Sequence, residues 1–152
     1  MHFEVKEFKD LSLEELYSIL ALRQEIFIVE QDCPYLDADG KDQGAHHVLA
    51  TSNDGILQAY TRLLSKGISY PEHCSIGRVI CRKSHRQTGL GKQIMQHSIK
   101  SCQDLFHGQL IKISAQVYLD KFYQSLGFNP IGEGYLEDDI PHQAMIYQPN
   151  VL

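Results

Sequence analysis

The sequence predicts an α/β domain in which a mixed sheet is covered by helices on both faces. A buried strand, a polar turn and an amphipathic helix follow one another over residues 75–96. Strands alternate with helices in the middle of the chain, which favours a parallel section, and hairpin signals elsewhere favour antiparallel edges. The predicted order is β-α-β-β-β-α-β-α-β-β, in a single domain that spans residues 1–152.

The first third of the chain predicts a strand, a helix and a hairpin. Residues 2–8 alternate apolar and polar side chains, as a half-buried strand does. Ser12 and Glu15 have the spacing of a capping box, and an apolar helix follows to about residue 29. Residues 46–51 and 55–64 are predicted to pair because Asp54-Gly55 is a strong hairpin turn.

The loop between that helix and the hairpin is acidic, with aspartates at positions 32, 37, 39 and 42. A calcium loop with Gly40 in sixth place would need carboxylates where Tyr35 and His46 stand, so calcium is excluded. Two interpretations stay open: a solvated acidic loop, or a wall that attracts a cationic amine.

The central strand at residues 75–81 is apolar on both faces, as expected inside a covered sheet. Gly77 within it suggests a bulge or the close approach of another backbone. The following helix is predicted to end near residue 105, before Gly108. The remaining elements are a strand at 110–115, a short helix at 117–126, a strand at 128–131, a long turn at 132–142 and a strand at 143–147.

The turn that opens the second long helix has the composition of an anion-binding site. A helix start leaves backbone N–H groups free at the positive end of its dipole. Gly89 and Gly91 leave the backbone accessible, and Arg86 and Lys92 add positive charge. Such a cradle suits a phosphate or pyrophosphate, although the glycines could instead only form a tight turn.

Two common nucleotide motifs do not fit this turn. A Walker A loop needs glycine where Arg86 stands and Ser or Thr where Gln93 stands. The dinucleotide fingerprint needs glycine or alanine at the position of Ile94.

Composition excludes several classes of function. A net charge of −5 argues against a nucleic-acid binder and fits a site for cationic amines. No apolar run reaches membrane-spanning length, and the N-terminus lacks a signal-peptide pattern, so a cytoplasmic protein is expected. The four cysteines and eight histidines lack metal-ligand spacing, so reduced thiols and no metal are expected.

Taken together, three stretches resemble the GNAT acyltransferase superfamily. RQTGLG at 86–91, between strand and helix, resembles its acetyl-CoA signature RxxGxG, and FYQSLGF at 122–128 resembles its FYxxxGF segment. Ala115-Gln116 matches the strand end beside the cofactor. Residues 29–42, 76–80 and 137–145 resemble the ElaA-type subgroup, so the resemblance covers essentially the whole chain.

The resemblance implies a twisted, mostly antiparallel sheet of six to seven strands with a splayed parallel pair. It implies acetyl-CoA as cosubstrate, with pantetheine in the splay along Val79, Ile80 and Cys81. The pyrophosphate would lie on Arg86, Gln87, Thr88, Gly89, Leu90, Gly91 and Lys92. Gln116, Tyr118 and Tyr123 would border the cofactor.

The implied reaction is acetyl transfer to a primary amine of a small molecule or protein. Tyr123 matches the general acid of the family, Tyr118 is the fallback, and a purely structural tyrosine is the alternative. Backbone N–H groups near Ile80 and Cys81 would stabilise the carbonyl oxygen. An acyl-accepting role for Cys81 is not favoured, since no base partner is evident.

The base and the partners are less defined. Candidate bases are Glu30, His46 and His142, or a chain of water molecules. A non-catalytic acyl-CoA sensor and a domain that acts only through a protein partner are the competing functions. Edge strands of the C-terminal hairpin could pair two subunits in a homodimer.

Overall fold

The computed structural model describes residues 1–148 and contains one eight-stranded sheet. Its strand order is β1-β2-β3-β4-β5-β8-β6, with β7 paired to β8, and every pair except β4–β5 is antiparallel. The strands are β1 (His2–Glu7), β2 (His46–Thr51), β3 (Leu57–Leu64), β4 (His73–Cys81), β5 (Leu110–Gln116), β6 (Phe128–Pro130), β7 (Tyr135–Glu137) and β8 (Ile140–Tyr147). The predicted mixed sheet is confirmed, with one strand more than expected.

Three α-helices flank the sheet: α1 (Leu13–Arg23), α2 (Leu90–Leu105) and α3 (Asp120–Ser125). The predicted capping box starts α1, since Glu15 N donates to Ser12 Oγ at 3.0 Å and Ser12 N donates to Glu15 Oε1 at 2.8 Å. Beyond Arg23 the helix widens into a π-helical segment, Gln24–Glu30, which apolar periodicity did not indicate. None of the helices within residues 1–148 is long and apolar enough to cross a membrane.

Helices pack on both faces, as predicted. On one face the apolar side of α1 and the π-helical segment covers β2, β3 and β4; this cluster is Ile19, Leu22, Ile26, Leu49, Leu57, Tyr60 and Ile80. On the other face α2 buries its apolar stripe against the sheet; the stripe is Leu90, Ile94, Met95, Ile99 and Cys102. Full burial of each such side chain contributes about 1.5–3 kcal/mol.

The two parallel strands β4 and β5 separate soon after they meet. They pair only at His73–Leu110 and Cys74–Ile111. From there to the ends of both strands the sheet is open, with the edge of β4 on one side and that of β5 on the other. The splayed parallel pair is thereby confirmed, and we call the space between the strands the gap.

A β-bulge in β4 accompanies the gap. Tyr60 pairs with Ile80 and Arg62 pairs with Gly77, so Thr61 alone faces two residues of β4. The bulge lies where Gly77 suggested one, but the left-handed residue is its neighbour Arg78, with φ of 50°. Bulges bend a strand and increase its twist, which helps β4 to diverge from β5.

The C-terminal region differs from the prediction. The expected long turn at 132–142 contains β7, which forms a hairpin with β8 through Asp138 and Asp139, both with positive φ. Aspartate tolerates this conformation, but an Asp-Asp pair is a weak hairpin signal. His142 is therefore a strand residue and pairs with Gln116 of β5.

The sheet edge on which the homodimer prediction depended is short. β8 pairs with β5 on one side and with β6 and β7 on the other. The outer strands there, β6 and β7, have three residues each. Short edge strands offer little backbone to a second subunit, and the homodimer stays a prediction.

Candidate active site

The turn before α2 presents free backbone N–H groups. Gln87 and Gly89 have φ of 63° and 87°, and no side chain caps the helix at Gly89. A Cβ built on Gly89 would meet no atom within 4 Å, so its backbone faces open space. Only glycine adopts this conformation without strain. The first amides of α2 are thus uncapped and accessible, as an anion site requires.

One of the two predicted cations of this turn, Arg86, is already paired. Arg86 makes a two-pronged ion pair with Glu30, with Nη2–Oε2 at 2.6 Å, and its Nε donates to the carbonyl oxygen of Cys81 at 3.2 Å. The π-helical segment brings Glu30 to this position. The hydrogen bond from Arg86 holds the pKa of Glu30 below its ordinary value, which weakens this candidate base.

The edge of β4 lines the gap at Val79, Ile80 and Cys81, beside the turn before α2. The Cys81 thiol lies 3.5 Å from the carbonyl oxygen of His85. Burial raises the pKa of this thiol, although Arg86 opposes the shift. A protonated thiol is a poor nucleophile, which agrees with the expectation that Cys81 does not accept the acyl group.

Two tyrosines lie near the gap in contrasting surroundings. Tyr123 is 6% exposed and packs edge-on against Phe122 and Phe128, with ring centroids 5.2 and 6.0 Å away. Burial, with a smaller effect of Tyr118, raises the pKa of Tyr123 well above that of a free phenol. Tyr118 itself is exposed. At neutral pH Tyr123 therefore keeps its proton.

His142 lies at the far side of the gap, buried beside the end of β5. Its Nδ1 is 2.7 Å from the carbonyl oxygen of Ile140 and its Nε2 is 3.2 Å from Glu137 Oε2. The ring stacks on Tyr135, with centroids 6.2 Å apart. Both ring nitrogens thus lie within hydrogen-bond distance of oxygen atoms.

Beside His142 is a cluster that the motifs did not indicate. The hydroxyls of Ser114 and Tyr135 share a short hydrogen bond, and Ser114 Oγ also donates to Glu137 Oε2 at 3.3 Å. Glu137 falls within the stretch that resembles the ElaA subgroup, but nothing in its neighbours marks it as functional. Ser114 and Tyr135 come from strands far apart in the chain, and only the β5–β8–β7 register joins them.

The third candidate base, His46, lies away from the end of the sheet where Cys81 stands. His46 begins β2, where it pairs with Leu63, and Leu63 pairs in turn with Ile76. At the end of β4 where the gap is open, β3 and β4 instead pair through Ala59 and Cys81. Five positions of β4 separate Ile76 from Cys81, a span of about 16 Å at the usual rise.

Ion pairs hold three of the four aspartates of the acidic loop, and Asp37 and Asp42 among them are buried. Three of its aspartates alternate with three arginines from α1, β3 and β4 in a closed cycle of six ion pairs, 2.7–3.3 Å long. In cyclic order this Arg–Asp ring is Arg78, Asp37, Arg23, Asp42, Arg62 and Asp39. Arg23 is 0% exposed. The ring carries no net charge, so these three aspartates do not form a wall that attracts a cationic amine, and Asp37 and Asp42 are not solvated.

A cavity of about 340 Å³ lies outside the gap, between α2 and the end of α3. It is lined by Lys92, Gln96, Ile99, Lys100, Gln103, Ser125, Leu126 and Tyr147. Lys92 thus borders both this cavity and the turn that precedes α2. Within the described part of the chain, no group of three or more His, Cys, Asp or Glu side chains could hold a metal ion.

Residues 11–149 match the family described as "Acetyltransferase (GNAT) domain". The protein ElaA of Escherichia coli is 41% identical over 138 residues, which cover 90% of this chain and 89% of ElaA. The crystal structure of Escherichia coli ElaA superimposes with a TM-score of 0.90 at 37% identity, covering 97% of this chain and 100% of that one.

Two further solved structures bear on the fold. An acyl-CoA N-acyltransferase from Pseudomonas aeruginosa has a TM-score of 0.90 at 40% identity, covering 97% of this chain and 100% of that chain. An aminoglycoside 6'-N-acetyltransferase complexed with coenzyme A has a TM-score of 0.69 at 14% identity, covering 97% and 99%. The latter likeness concerns the fold alone.

Proposed function

This chain belongs to the GNAT acetyltransferase family, in its ElaA-like group, and we propose that it transfers the acetyl group of acetyl-CoA directly to a primary amine. The observation that carries the proposal is the separation of β4 from β5 beside the uncapped start of α2. The acceptor is an amine of a small molecule or a protein. Four free thiols suit a reaction in the reducing cytoplasm.

The chain's own groups would hold acetyl-CoA along the gap. The backbone of Gln87 to Lys92 offers N–H groups to the pyrophosphate, and the edge of β4 at Val79 and Ile80 offers hydrogen bonds to the amides of pantetheine. The ammonium groups of Lys92 and Lys100 in the cavity lining suit the phosphate at the nucleotide end of acetyl-CoA. When bound, acetyl-CoA supplies an activated thioester.

The proposed chemistry needs a base, a stabiliser of the oxygen and an acid. The amine nitrogen forms a bond to the acetyl carbon as the carbon–sulfur bond breaks, and Tyr123 gives its proton to the departing sulfur. Backbone N–H groups near Ile80 and Cys81 stabilise the carbonyl oxygen. The proton of the acceptor's ammonium leaves toward His142, whose ring nitrogens lie 2.7 Å from the carbonyl oxygen of Ile140 and 3.2 Å from Glu137 Oε2.

Calorimetric titration with acetyl-CoA and with CoA tests the cosubstrate, on the wild type and on Gly89→Asp. The new carboxylate would fill the open space at Gly89 and repel a pyrophosphate. We expect binding to the wild type and its loss in the variant. No binding to the wild type would overturn the proposal.

Assays of thiol release with a panel of amines then test turnover. Release of CoA thiol with at least one primary amine supports the transferase. Binding without release with any amine would instead indicate the acyl-CoA sensor.

A further inference from the structure

We propose that Glu137 is the binding residue for the acceptor's ammonium group, which makes the enzyme selective for cationic primary amines. The carboxylate lies beside Ser114, Tyr135 and His142 on the face of β5 and β8 opposite α2. The inference rests on the proposed function and assigns its acceptor site.

The sheet topology leaves this face to the acceptor. Along β5 the buried residues Ile111, Ile113 and Ala115 face the α2 side, and the partly exposed Lys112, Ser114 and Gln116 face the other. On that other face α1 covers β2, β3 and β4. Because the cradle for the pyrophosphate lies at the start of α2, the cosubstrate enters the gap from the α2 side of the sheet. The acceptor then approaches from the face that carries Ser114.

On that face, Oε1 of the Glu137 carboxylate is available to the acceptor's ammonium. Its side chain is 54% exposed, and its contacts with Ser114 and His142 both involve Oε2. Within residues 1–148, Oε1 has no hydrogen-bond partner. An ammonium at Oε1 would form a charge-assisted hydrogen bond, which is stronger than one between neutral groups.

Aromatic rings surround this carboxylate and suit a cation. Tyr135 stacks on His142 and bonds to Ser114, and Tyr70 lies near enough to Tyr135 and Glu137 for them to add to the effect of burial on its pKa. The ammonium of Lys112 lies 4.7 Å from the centre of the Tyr70 ring. That ring therefore already interacts with a primary ammonium group in this structure.

The same contacts give the acceptor's proton a path. Before the nitrogen attacks, the ammonium gives one proton to the Glu137 carboxylate, which passes it to Nε2 of His142, 3.2 Å away. The products of this transfer are a neutral amine, an unchanged carboxylate and an imidazolium. Nδ1–H meanwhile donates to the carbonyl oxygen of Ile140.

The test compares Glu137→Gln with Glu133→Gln, which removes the same charge from an exposed residue of the same region. Thiol release is measured with butylamine, which is protonated at neutral pH, and with aniline, which is neutral. We expect Glu137→Gln to lower kcat/KM for butylamine by about 10- to 100-fold. For Glu137→Gln, the aniline rate and the acetyl-CoA affinity should change less than about twofold, since neither depends on a contact to the ammonium. All values for Glu133→Gln should also change less than about twofold, since that variant keeps every contact to the ammonium. Equal butylamine kinetics in the two variants would overturn the inference.

A second measurement separates this inference from the proposed function. Butylamine is titrated into the CoA-saturated protein, and the Nε2 resonance of His142 is followed by NMR. A saturable shift in the wild type that is lost in Glu137→Gln supports the ammonium site even if no thiol is released. The same shift in both proteins, or none in either, would overturn it. Ser114→Ala should weaken the butylamine response while acetyl-CoA binding is kept.

Discussion

At the scale of single residues, the two tyrosines near the gap differ in what they can do. Tyr123 is buried among aromatic rings and holds its proton, whereas Tyr118 is exposed to solvent. An exposed phenol exchanges protons with water and is a poor choice for a directed transfer. Tyr123 therefore stays the proposed acid, and Tyr118 the alternative.

Tyr123→Phe should lower turnover by about 100-fold or more, because general acid catalysis contributes that much. The acetyl-CoA affinity should stay within about twofold of the wild type, since the ring packing is kept. Steady-state kinetics and calorimetry give both values. Tyr118→Phe is the control and should keep most of its turnover; the reverse pattern would assign the acid to Tyr118.

Glu30 can be tested apart from catalysis, because it neutralises Arg86 beside the cradle. Glu30→Gln should leave turnover nearly unchanged and tighten CoA binding by up to about fivefold, the value of an exposed ion pair. Calorimetry measures the affinity, and Glu25→Gln, which removes the partner of Arg82, is the control. A large loss of turnover with unchanged affinity would restore Glu30 as the base.

The sequence could indicate residues whose function depends on neighbours in the chain. Gly89 and Arg86 belong to one short motif, and the structure places both at the start of α2. The partners of Glu137 are different, since Ser114 and His142 meet it only through strand register. A single sequence carries no signal for that register.

At the scale of elements, the Arg–Asp ring attaches the loop after the π-helical segment to α1, β3 and β4. Every member has two neighbours of opposite charge. Because the ring is largely buried, both neighbours are needed to stabilise each charge. Removing any one arginine leaves each of its two aspartates with a single partner.

Arg23→Met should reduce the free energy of unfolding by about 3–5 kcal/mol, because it leaves Asp37 and Asp42 buried with one partner each. Chemical denaturation at neutral pH measures the loss. Arg82→Met is the control: Arg82 has one ion pair, at 3.4 Å, and donates two hydrogen bonds to the carbonyl oxygen of Leu57, so its loss should cost about 1–2 kcal/mol. Equal losses would mean that the ring adds nothing to an ordinary surface pair.

The ring also predicts sensitivity to acid. Burial raises the pKa values of Asp39 and Asp42, but hydrogen bonds from arginines outweigh it and hold both below their ordinary values. The unfolded chain then takes up protons first as pH falls, so stability is present above about pH 4 and decreases below it. Melting temperatures between pH 5 and pH 2 check this, and Asp39→Asn should flatten the decrease. An unchanged slope would contradict it.

The elements that sequence patterns missed are those whose signals are weak. The π-helical segment keeps the apolar spacing of the helix before it, and its distinctive bonds, such as Gln31 N to the carbonyl oxygen of Ile26, appear only in three dimensions. β7 has three residues, too few for alternation to be recognised. The capping box and the Asp54-Gly55 turn were recognisable because each depends on local chemistry.

At the scale of the whole molecule, the strand–helix order predicted the layers correctly, with helices on both faces of a mixed sheet. The open gap followed from the family resemblance and not from residue patterns. Two residue pairs join β4 to β5, and α2 crosses between these strands on one face. The sheet thus consists of two antiparallel parts, β1–β4 and β5–β8, with a short connection between them.

Acetyl-CoA bound in the gap should slow amide hydrogen exchange at residues 79–81 and 112–116, because its amides would complete backbone pairing that the protein leaves open. Exchange measured by mass spectrometry with and without CoA checks this, and β1 is the internal control. Protection spread evenly over all strands would contradict binding in the gap.

Binding of acetyl-CoA in the gap between β4 and β5, as proposed, also has a consequence for the lifetime of the protein in a cell. A ligand that binds only the folded chain stabilises it by about 2.7 kcal/mol at a hundred times its dissociation constant. Proteases act on the unfolded fraction, which shrinks accordingly. With acetyl-CoA as the proposed ligand, the amount of this protein should rise and fall with the supply of acetyl-CoA, without any change in its synthesis.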